Sequence, residues 1–222
     1  MPPGSDISVR GEGTVASVLL SRPPLNILNL AMMEELSSHL ERLAADEALG
    51  VVVLESELKD VFSAGADVRE HLPATAERLI RTLERVVLQI LAFPRPTVAI
   101  VRGKCLGGGM ELAMACDFVL ASDRATFGQP EISVGVFPPV ATALYPRLVG
   151  LRATYDVVLT GRTLTAAEAA SMGFVTSVHS EAELDAARQN FLGTLTSKSR
   201  AALQQAKRAA LEGYSLWLEQ AM

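Results

Sequence analysis

Apolar and polar positions follow each other in blocks along the chain, and these blocks predict strands and helices in turn. Short runs rich in β-branched residues predict strands at 7–10, 14–20, 51–55, 97–101, 118–121 and 175–179. Longer stretches with apolar residues three or four positions apart predict helices at 30–45, at 74–92, from about 142 onward and over most of 181–212. This alternation of strands and helices is typical of an α/β fold with largely parallel strands.

Composition and charge exclude several classes of function. Hydrophobic residues make up 49% of the 222 positions, which favours one compact core. The net charge is −5, with acidic and basic residues mixed along the chain, so we expect no nucleic-acid partner. No apolar run approaches the ~20 residues that span a bilayer, and the first residues lack the order of a signal peptide. We therefore expect no membrane association and a cytoplasmic location, which the two cysteines also fit.

The segment 103–117 carries the strongest indication of chemistry. Three glycines, at 107–109, lie between the predicted strand 97–101 and an apolar helical stretch. Glycines in such a place allow backbone N–H groups to face a ligand that develops negative charge. Glu111 falls in the first turn of the helix among apolar neighbours, where burial should raise its pKa toward neutrality. The segment therefore predicts anion-stabilising amides beside a carboxyl group that can transfer protons.

A second carboxylate stands in the loop 127–131, where Pro130 restricts the backbone before Glu131. Two carboxyl groups in different environments are a common means of separating acid and base roles. Glu111 alone could equally be a helix N-terminal carboxylate favoured by the helix dipole. Spacing along the chain does not show whether the two carboxylates meet.

Two other patterns offer different chemistry. Residues 11–16 match the dinucleotide-binding pattern G-x-G-x-x-A, but a strand follows where that motif requires a helix, so we interpret the glycines as a hairpin turn. Residues 103–107 resemble a nucleophile elbow with Cys105 as the nucleophile, which would need His179 and either Asp123 or Asp156 as partners. A small buried cysteine at a strand end is the alternative that we favour. The three histidines lie far apart, and we expect no metal.

Four motifs in order, at 62–67, 107–117, 127–131 and 159–162, resemble the crotonase superfamily, whose best-known members are enoyl-CoA hydratases. The resemblance covers nearly the whole chain, from the motif at 22–26 to the helix near residue 210. The resemblance implies an α/β crotonase-like spiral of ββα units with a helical C-terminal region, assembled as a homotrimer or a hexamer. It divides the chain into a spiral core over 1–193 and a helical segment over 194–222, shorter than in most relatives.

The resemblance also assigns roles to residues. The backbone amides of Ala66 and Gly108 would form an oxyanion hole for the thioester carbonyl. Glu111 and Glu131 match the hydratase glutamate pair, and the sequence does not divide the acid and base roles between them. Substrate-binding positions would include Ala64, Asp67 and Arg69, which lie where relatives hold the adenine and a phosphate of coenzyme A. No cofactor is implied, because coenzyme A is part of the substrate.

One departure bears on specificity. Many hydratases have a glycine-rich turn after the second glutamate, whereas this chain has two prolines and a valine, which include Pro139 and Val140. Those side chains should stiffen and reshape the wall of an acyl pocket. Together with the segments 24–29 and 66–73, they resemble the cyclohexa-1,5-dienecarbonyl-CoA hydratase branch. We therefore expect a lyase that hydrates a conjugated enoyl- or dienoyl-CoA. The alternatives are an isomerase of the same superfamily and a catalytically silent acyl-CoA-binding paralogue.

Overall fold

The computed structural model describes residues 5–70 and 75–221, which fold into two β-sheets flanked by helices. In chain order the strands are β1 (Ile7–Glu12), β2 (Val15–Leu20), β3 (Val51–Ser56), β4 (Val61–Ser63), β5 (Thr97–Val101), β6 (Lys104–Leu106), β7 (Phe118–Ser122), β8 (Thr126–Gly128), β9 (Thr163–Thr165) and β10 (Ser177–His179). The α-helices are α1 (Leu30–Ala44), α2 (Ala76–Leu91), α3 (Gly108–Ala115), α4 (Pro139–Thr160), α5 (Ala166–Ser171), α6 (Leu184–Thr196) and α7 (Arg200–Ala221). Short 3₁₀ turns cover Val68–Glu70 and Pro130–Val134.

The larger sheet has the spatial order β1-β2-β3-β5-β7-β10 and holds most of the core. Every neighbouring pair is parallel except β1 and β2, which form a hairpin. Alternate residues of β3 and β5 point to opposite faces of the sheet. Val52 and Leu54 pack with the helices α1, α2 and α3, whereas Val51 and Val53 pack with α6 on the other face. Burial on both faces explains why these strands are almost continuously apolar.

The smaller sheet has the order β4-β6-β8-β9, with the first three strands parallel to one another. Each of its strands has three residues. The sequence predicts none of these strands, because runs of three residues next to glycine carry no measurable alternation. The α/β class and the parallel pairing are confirmed, but the second sheet is an addition to the predicted elements.

Local sequence explains where several elements begin and bend. The side chain of Asn29 accepts a hydrogen bond from the amide of Met32 and caps α1. The glycines of 11–16 lie in the β1–β2 hairpin, as predicted, and Gly13 has a φ of +59°. Helix α4 begins at Pro139, three residues before the predicted start, and bends at Gly150, where φ is +78°.

Two parts of the sequence predictions lie outside the described residues. Residues 71–73 belong to the segment 66–73, which contributed to the narrower resemblance, and residue 74 is the predicted start of the helix over 74–92. The side chains of residues 214–221 are the other part, and they include most of the apolar residues near the C-terminus. The division of the chain at residue 193 stays a prediction.

Candidate active site

The carboxyl ends of three strands in the smaller sheet bring the predicted site residues to one edge. Strands β4, β6 and β8 are parallel neighbours, so the segments that follow them emerge side by side. These segments are 64–67, 107–109 and 129–131. Chemistry-bearing loops at the carboxyl edge of parallel strands are a general feature of α/β proteins.

The segment after β4 is held by a short parallel bridge between Leu28 and Ala66. The amide of Leu28 donates to the carbonyl of Gly65 at 2.9 Å, and the amide of Asp67 donates to the carbonyl of Leu28 at 3.0 Å. Successive amides of an extended segment point in opposite directions. The N–H of Ala66 therefore faces away from Leu28, toward α3.

Asn26 holds the neighbouring turn in place. It is fully buried, and its backbone has a φ of +47°, in the left-handed region that asparagine tolerates better than most residues. Its side-chain amide donates to the carbonyl of Phe62 at 2.9 Å and to the hydroxyl of Ser56 at 2.8 Å, while its oxygen accepts from the amide of Arg22 at 2.7 Å. Asn26 thus ties the end of β3 to β4. Sequence reasoning included it in a motif but gave it no role.

The structure brings the amides of Ala66 and Gly108 together. A Cβ atom added at Gly108 would lie 3.5 Å from the Ala66 nitrogen, and one added at Gly65 would lie 3.4 Å from the Gly108 nitrogen. Within the described residues, neither N–H donates a hydrogen bond to a protein atom. Gly107, which precedes α3, has a φ of +53° and turns the chain so that these amides meet. Two backbone N–H groups without a protein acceptor therefore lie close together.

Glu111 lies in the first turn of α3 and is 2% exposed. Its Oε1 atom accepts a hydrogen bond of 2.8 Å from the amide of Ala141, at the beginning of α4. Burial raises the pKa of Glu111 to about 8, against the opposing effect of the Ala141 hydrogen bond. The negative charges of Glu131 and Glu84 raise it further. Ala141 contributes through its backbone, so its side chain gave the sequence analysis no signal.

Glu131 approaches the same point from the 3₁₀ turn after β8. Its Oε1 atom lies only 2.7 Å from the position that a Cβ atom would take at Gly107, where the φ of +53° also favours glycine. Burial raises the pKa of the Glu131 carboxyl as well. The structure therefore joins the two carboxyl groups that the sequence could not place together. Both lie next to the Gly107–Gly108 turn that supplies one of the unpaired amides.

Gln129 and Tyr145 are buried beside this pair, and sequence reasoning assigned them no role. The side-chain amide of Gln129 contacts the Tyr145 hydroxyl, and it also lies against the carboxylate of Glu131. The position of Tyr145 directly after Ala143 and Leu144 was the available signal, since a buried phenol needs a polar partner.

Ala64, Asp67 and Arg69 follow β4 along the chain. Ala64 is half-buried, and Asp67 is buried at 4% exposure. The guanidinium of Arg69 donates to both carboxylate oxygens of Asp67, at 2.9 and 2.6 Å, and it lowers the pKa of Asp67 to about 2. The side chain of Arg69 is nevertheless 76% exposed, so it is accessible to a ligand from solvent.

Pro139 and Val140 lie immediately before the amide that Glu111 binds. Pro139 is the first residue of α4, and Val140 is buried at 7% exposure. Neither Pro138 nor Pro139 has an N–H group, so the exposed donors at this helix start are fewer than usual. The predicted pocket wall is therefore next to Glu111.

The alternative of a cysteine hydrolase does not fit this arrangement. Cys105 is fully buried on β6, and burial raises the pKa of its thiol well above the ordinary value. His179 lies on β10 in the other sheet, with its Nε2 atom 2.9 Å from the hydroxyl of Ser177. The buried thiol and the histidine of a different sheet do not form a nucleophile and its base.

Residues 5–70 and 75–221 contain neither a cluster of metal ligands nor a helix able to span a membrane. Within these ranges no group of three or more His, Cys, Asp or Glu side chains is arranged to hold a metal ion. Over the same part of the chain, no helix has the length and apolarity needed to cross a bilayer.

The fold and the site together define a class of protein. Two carboxyl groups with raised pKa values, next to a pair of unpaired amides, are the parts of an acid–base enzyme whose substrate contains a carbonyl group. The family model described as enoyl-CoA hydratase/isomerase matches residues 10–222. The chain belongs to this family, and it is an enzyme of the enoyl-CoA hydratase type.

Individual relatives agree with this assignment. A cyclohexa-1,5-dienecarbonyl-CoA hydratase of Thauera aromatica is 36% identical over 177 residues, which cover 80% of this chain and 68% of that protein. A probable enoyl-CoA hydratase of Rhizobium meliloti is 40% identical over 177 residues, covering 77% of this chain and 67% of the relative. The crystal structure of an enoyl-CoA hydratase from Bacillus anthracis superimposes with a TM-score of 0.90 at 28% identity, covering 97% of this chain and 89% of the other. The crotonase fold is therefore confirmed.

Proposed function

We propose that this enzyme adds water to a conjugated dienoyl-CoA thioester, with cyclohexa-1,5-dienecarbonyl-CoA as the preferred type of substrate. One observation supports the proposal above all others. The unpaired amides of Ala66 and Gly108 lie close together beside Glu111 and Glu131, two carboxyl groups whose pKa values are raised.

The two amides would act as an oxyanion hole. Water adds to the β-carbon of an unsaturated thioester, and the carbonyl oxygen gains negative charge as an enolate-like transition state forms. Donors that are fixed beforehand stabilise this charge more than they stabilise the bound substrate. Ala66 is fixed by the bridge to Leu28, and Gly108 is fixed at the beginning of α3.

The glutamate pair would exchange the protons that hydration requires. Near neutral pH the pair shares one proton, because two buried neighbouring carboxyl groups resist carrying two charges. The ionised carboxylate takes a proton from water as its oxygen bonds to the β-carbon. The neutral carboxyl group gives its proton to the α-carbon, so one water is consumed and the pair again holds one proton. The pair titrates as a unit, and the proposal does not divide its roles.

The loop after β4 would bind the coenzyme A part of the substrate. Asp67 holds the guanidinium of Arg69 in an exposed position, where its remaining donors can meet a phosphate. Ala64 precedes the loop, and its small side chain would leave room for an adenine ring. Since coenzyme A arrives with the substrate, the proposal includes no separate cofactor.

Pro139 and Val140 would select the acyl group. They form a stiff wall beside Glu111, in keeping with a flat cyclic acyl group. The relative of Thauera aromatica is named for such a substrate, and it is among the more similar curated proteins.

Comparison of two substrates tests the proposal. We expect a higher kcat/KM for the cyclic dienoyl-CoA than for crotonyl-CoA, and Pro139→Gly with Val140→Gly should narrow this preference. Arg152→Gly, an exposed position of the same helix, is the matched control for glycine in α4. Equal or better activity of the unaltered enzyme on crotonyl-CoA would contradict the cyclic substrate and leave the hydratase type unchanged.

We also propose that the enzyme is a cytoplasmic homotrimer or hexamer. Two neighbouring segments expose apolar side chains that a second copy could cover: Ile132, Val134, Val136, Phe137, Leu148, Leu151, Tyr155 and Leu159. Exposed apolar area of this kind commonly marks an interface. Light scattering should give a multiple of the 23.7 kDa chain, and a monomer alone would contradict this assembly.

A further inference from the structure

The two glutamates are held in different ways. The carboxyl group of Glu111 accepts a hydrogen bond from a backbone N–H of α4, and the helix itself fixes this donor. Glu131 stands in a short 3₁₀ turn, and its carboxylate contacts its own backbone N–H and the side-chain amide of Gln129. Gln129 is fully buried, so its amide needs a fixed orientation to serve this purpose.

The orientation of the Gln129 amide follows from its neighbours. In one orientation its nitrogen lies 3.0 and 3.1 Å from the two oxygens of Glu131, and its oxygen accepts from the Tyr145 hydroxyl. The reverse orientation gives the nitrogen to Tyr145 and, at a long 3.4 Å, to the carbonyl of Gly107. It would also turn the amide oxygen toward the carboxylate, where two acceptors repel each other. The first orientation is therefore the stable one.

Tyr145 is itself fixed. It is fully buried on α4, and its ring packs edge-to-face against Phe174 with the centroids 5.1 Å apart. Burial also raises the pKa of its hydroxyl, so the group stays protonated and able to donate. A rigid phenol with one hydroxyl hydrogen is well suited to hold an amide oxygen.

We propose that Tyr145 is a positioning residue for Glu131, acting through the side chain of Gln129. The hydroxyl of Tyr145 donates to the amide oxygen of Gln129, and this keeps the amide nitrogen directed at the carboxylate. Without the hydroxyl, the buried amide oxygen has no donor and the amide can rotate. Glu131 then loses N–H contacts that favour its charged form, so its pKa rises.

Other ionisable groups around Glu131 bear on this effect. Glu111 on α3 and Tyr145 on α4 both interact electrostatically with Glu131, and Glu84 on α2 interacts with Glu111. The substitution Tyr145→Phe alters none of the charges at neutral pH, because the phenol is uncharged there. A shift in the pKa of Glu131 would therefore report the lost hydrogen-bond chain rather than a changed charge.

A double-mutant cycle tests the chain through kinetics, and this arm rests on the proposed function. Tyr145→Phe should lower kcat by about 3- to 10-fold, the effect of one buried hydrogen bond, with KM within about twofold of the unaltered value. In a Gln129→Met background, Tyr145→Phe should have no further effect on kcat. The same loss in both backgrounds would show that Tyr145 acts independently and would overturn the proposal.

A titration that needs no substrate separates this inference from the proposed function. Carbon-13 NMR of labelled glutamate carboxyl groups, assigned with Glu131→Gln, gives the apparent pKa that the Glu131 carboxyl signal reports. We expect a higher pKa in Tyr145→Phe and no change in Tyr155→Phe, a control at an exposed tyrosine of the same helix. Should Tyr145→Phe fail to fold, Gln129→Met must produce the same rise. An unchanged pKa of Glu131 in the folded variants would overturn the proposal even if hydration is confirmed.

Discussion

The two sheets of this enzyme differ in strand length, in burial and in their distance from the candidate active site. The larger sheet has strands of up to six residues, and its central strands β3, β5 and β7 are largely buried and pack against helices on both faces. The smaller sheet has strands of three residues, yet segments directly after β4, β6 and β8 carry both glutamates and both unpaired amides. Stability therefore depends chiefly on one sheet, and the chemistry on the edge of the other. Substitutions in the two regions should have different consequences.

The largest expected effect belongs to the glutamates at the edge of the smaller sheet. Glu111→Gln and Glu131→Gln should each lower kcat by about 10²–10⁴-fold, because the amide keeps the shape of the side chain and removes proton transfer. Binding of the thioester, measured by isothermal titration calorimetry, should persist.

Cys105→Ala, in the same sheet, is the matched control for the glutamate variants. Its buried thiol has no part in the proposed chemistry, so kcat should change little. Near-normal turnover in either glutamate variant would show that the two residues are wrongly assigned. Loss of activity in a folded Cys105→Ala protein would also contradict the assignment, because it would give the thiol a part in the chemistry.

Gly108 tests the amide pair without altering a charge. A Cβ atom there would be in ordinary contact with Leu28, Leu83 and the Ala66 nitrogen, at 3.4–3.5 Å. Gly108→Ala should therefore fold, whereas the larger Gly108→Val should displace the carbonyl and cost at least ~10²–10³-fold in kcat. Circular dichroism checks that both variants are folded. Full activity in Gly108→Val would contradict the placement of the oxyanion hole.

The larger sheet should show the opposite response. Leu54 on β3 is 4% exposed in the main core, and Leu54→Ala should lower the free energy of unfolding by about 2–5 kcal/mol. Urea titration measures this loss, and kcat per folded molecule should stay close to its original value. If kcat fell as far as in Gly108→Val, stability and chemistry would not be divided between the two sheets.

The burial of Glu111 lowers the free energy of unfolding of the protein when the carboxyl group is ionised. Its pKa is about 8 in the folded protein and 4.5 ordinarily, so between these values the unfolded chain binds fewer protons. The free energy of unfolding should therefore fall as pH rises through this window, by roughly 1.4 kcal/mol for each unit of pKa difference. Glu111→Gln should reduce this slope to the part that the raised pKa of Glu131 contributes, while Glu77→Gln at an exposed position should retain it in full. Identical slopes in the original protein and in Glu111→Gln would contradict the burial effect.

The contrast between the two sheets also explains which strands could be predicted from the sequence. Prediction and structure agree within a few residues for the strands β2, β3, β5 and β7 and the helices α1 and α2. The apolar runs and periodic apolar positions of these segments are long enough to be recognised in the sequence. Strands β4, β6, β8 and β9 were missed, because their stability comes from pairing with distant segments.

The site was predictable in its residue types but not in its geometry. The raised pKa of Glu111 follows from its apolar neighbours in the sequence, and the structure agrees. The meeting of Glu111 and Glu131 depends on the order β4-β6-β8, which no local pattern contains. Asn26, Gln129 and the amide of Ala141 act through contacts between segments far apart in the chain, so only the structure shows them.

The most direct test of the account is to follow an enoyl-CoA by absorbance and mass in the presence of the unaltered enzyme. We predict loss of the conjugated absorbance together with a mass gain of one water, and neither change at a comparable rate with Glu111→Gln or Glu131→Gln. A shifted double bond without a gain in mass would instead show an isomerase. Tight binding of the thioester with no change in absorbance or mass would show a silent paralogue, and either result would contradict hydration by the glutamate pair.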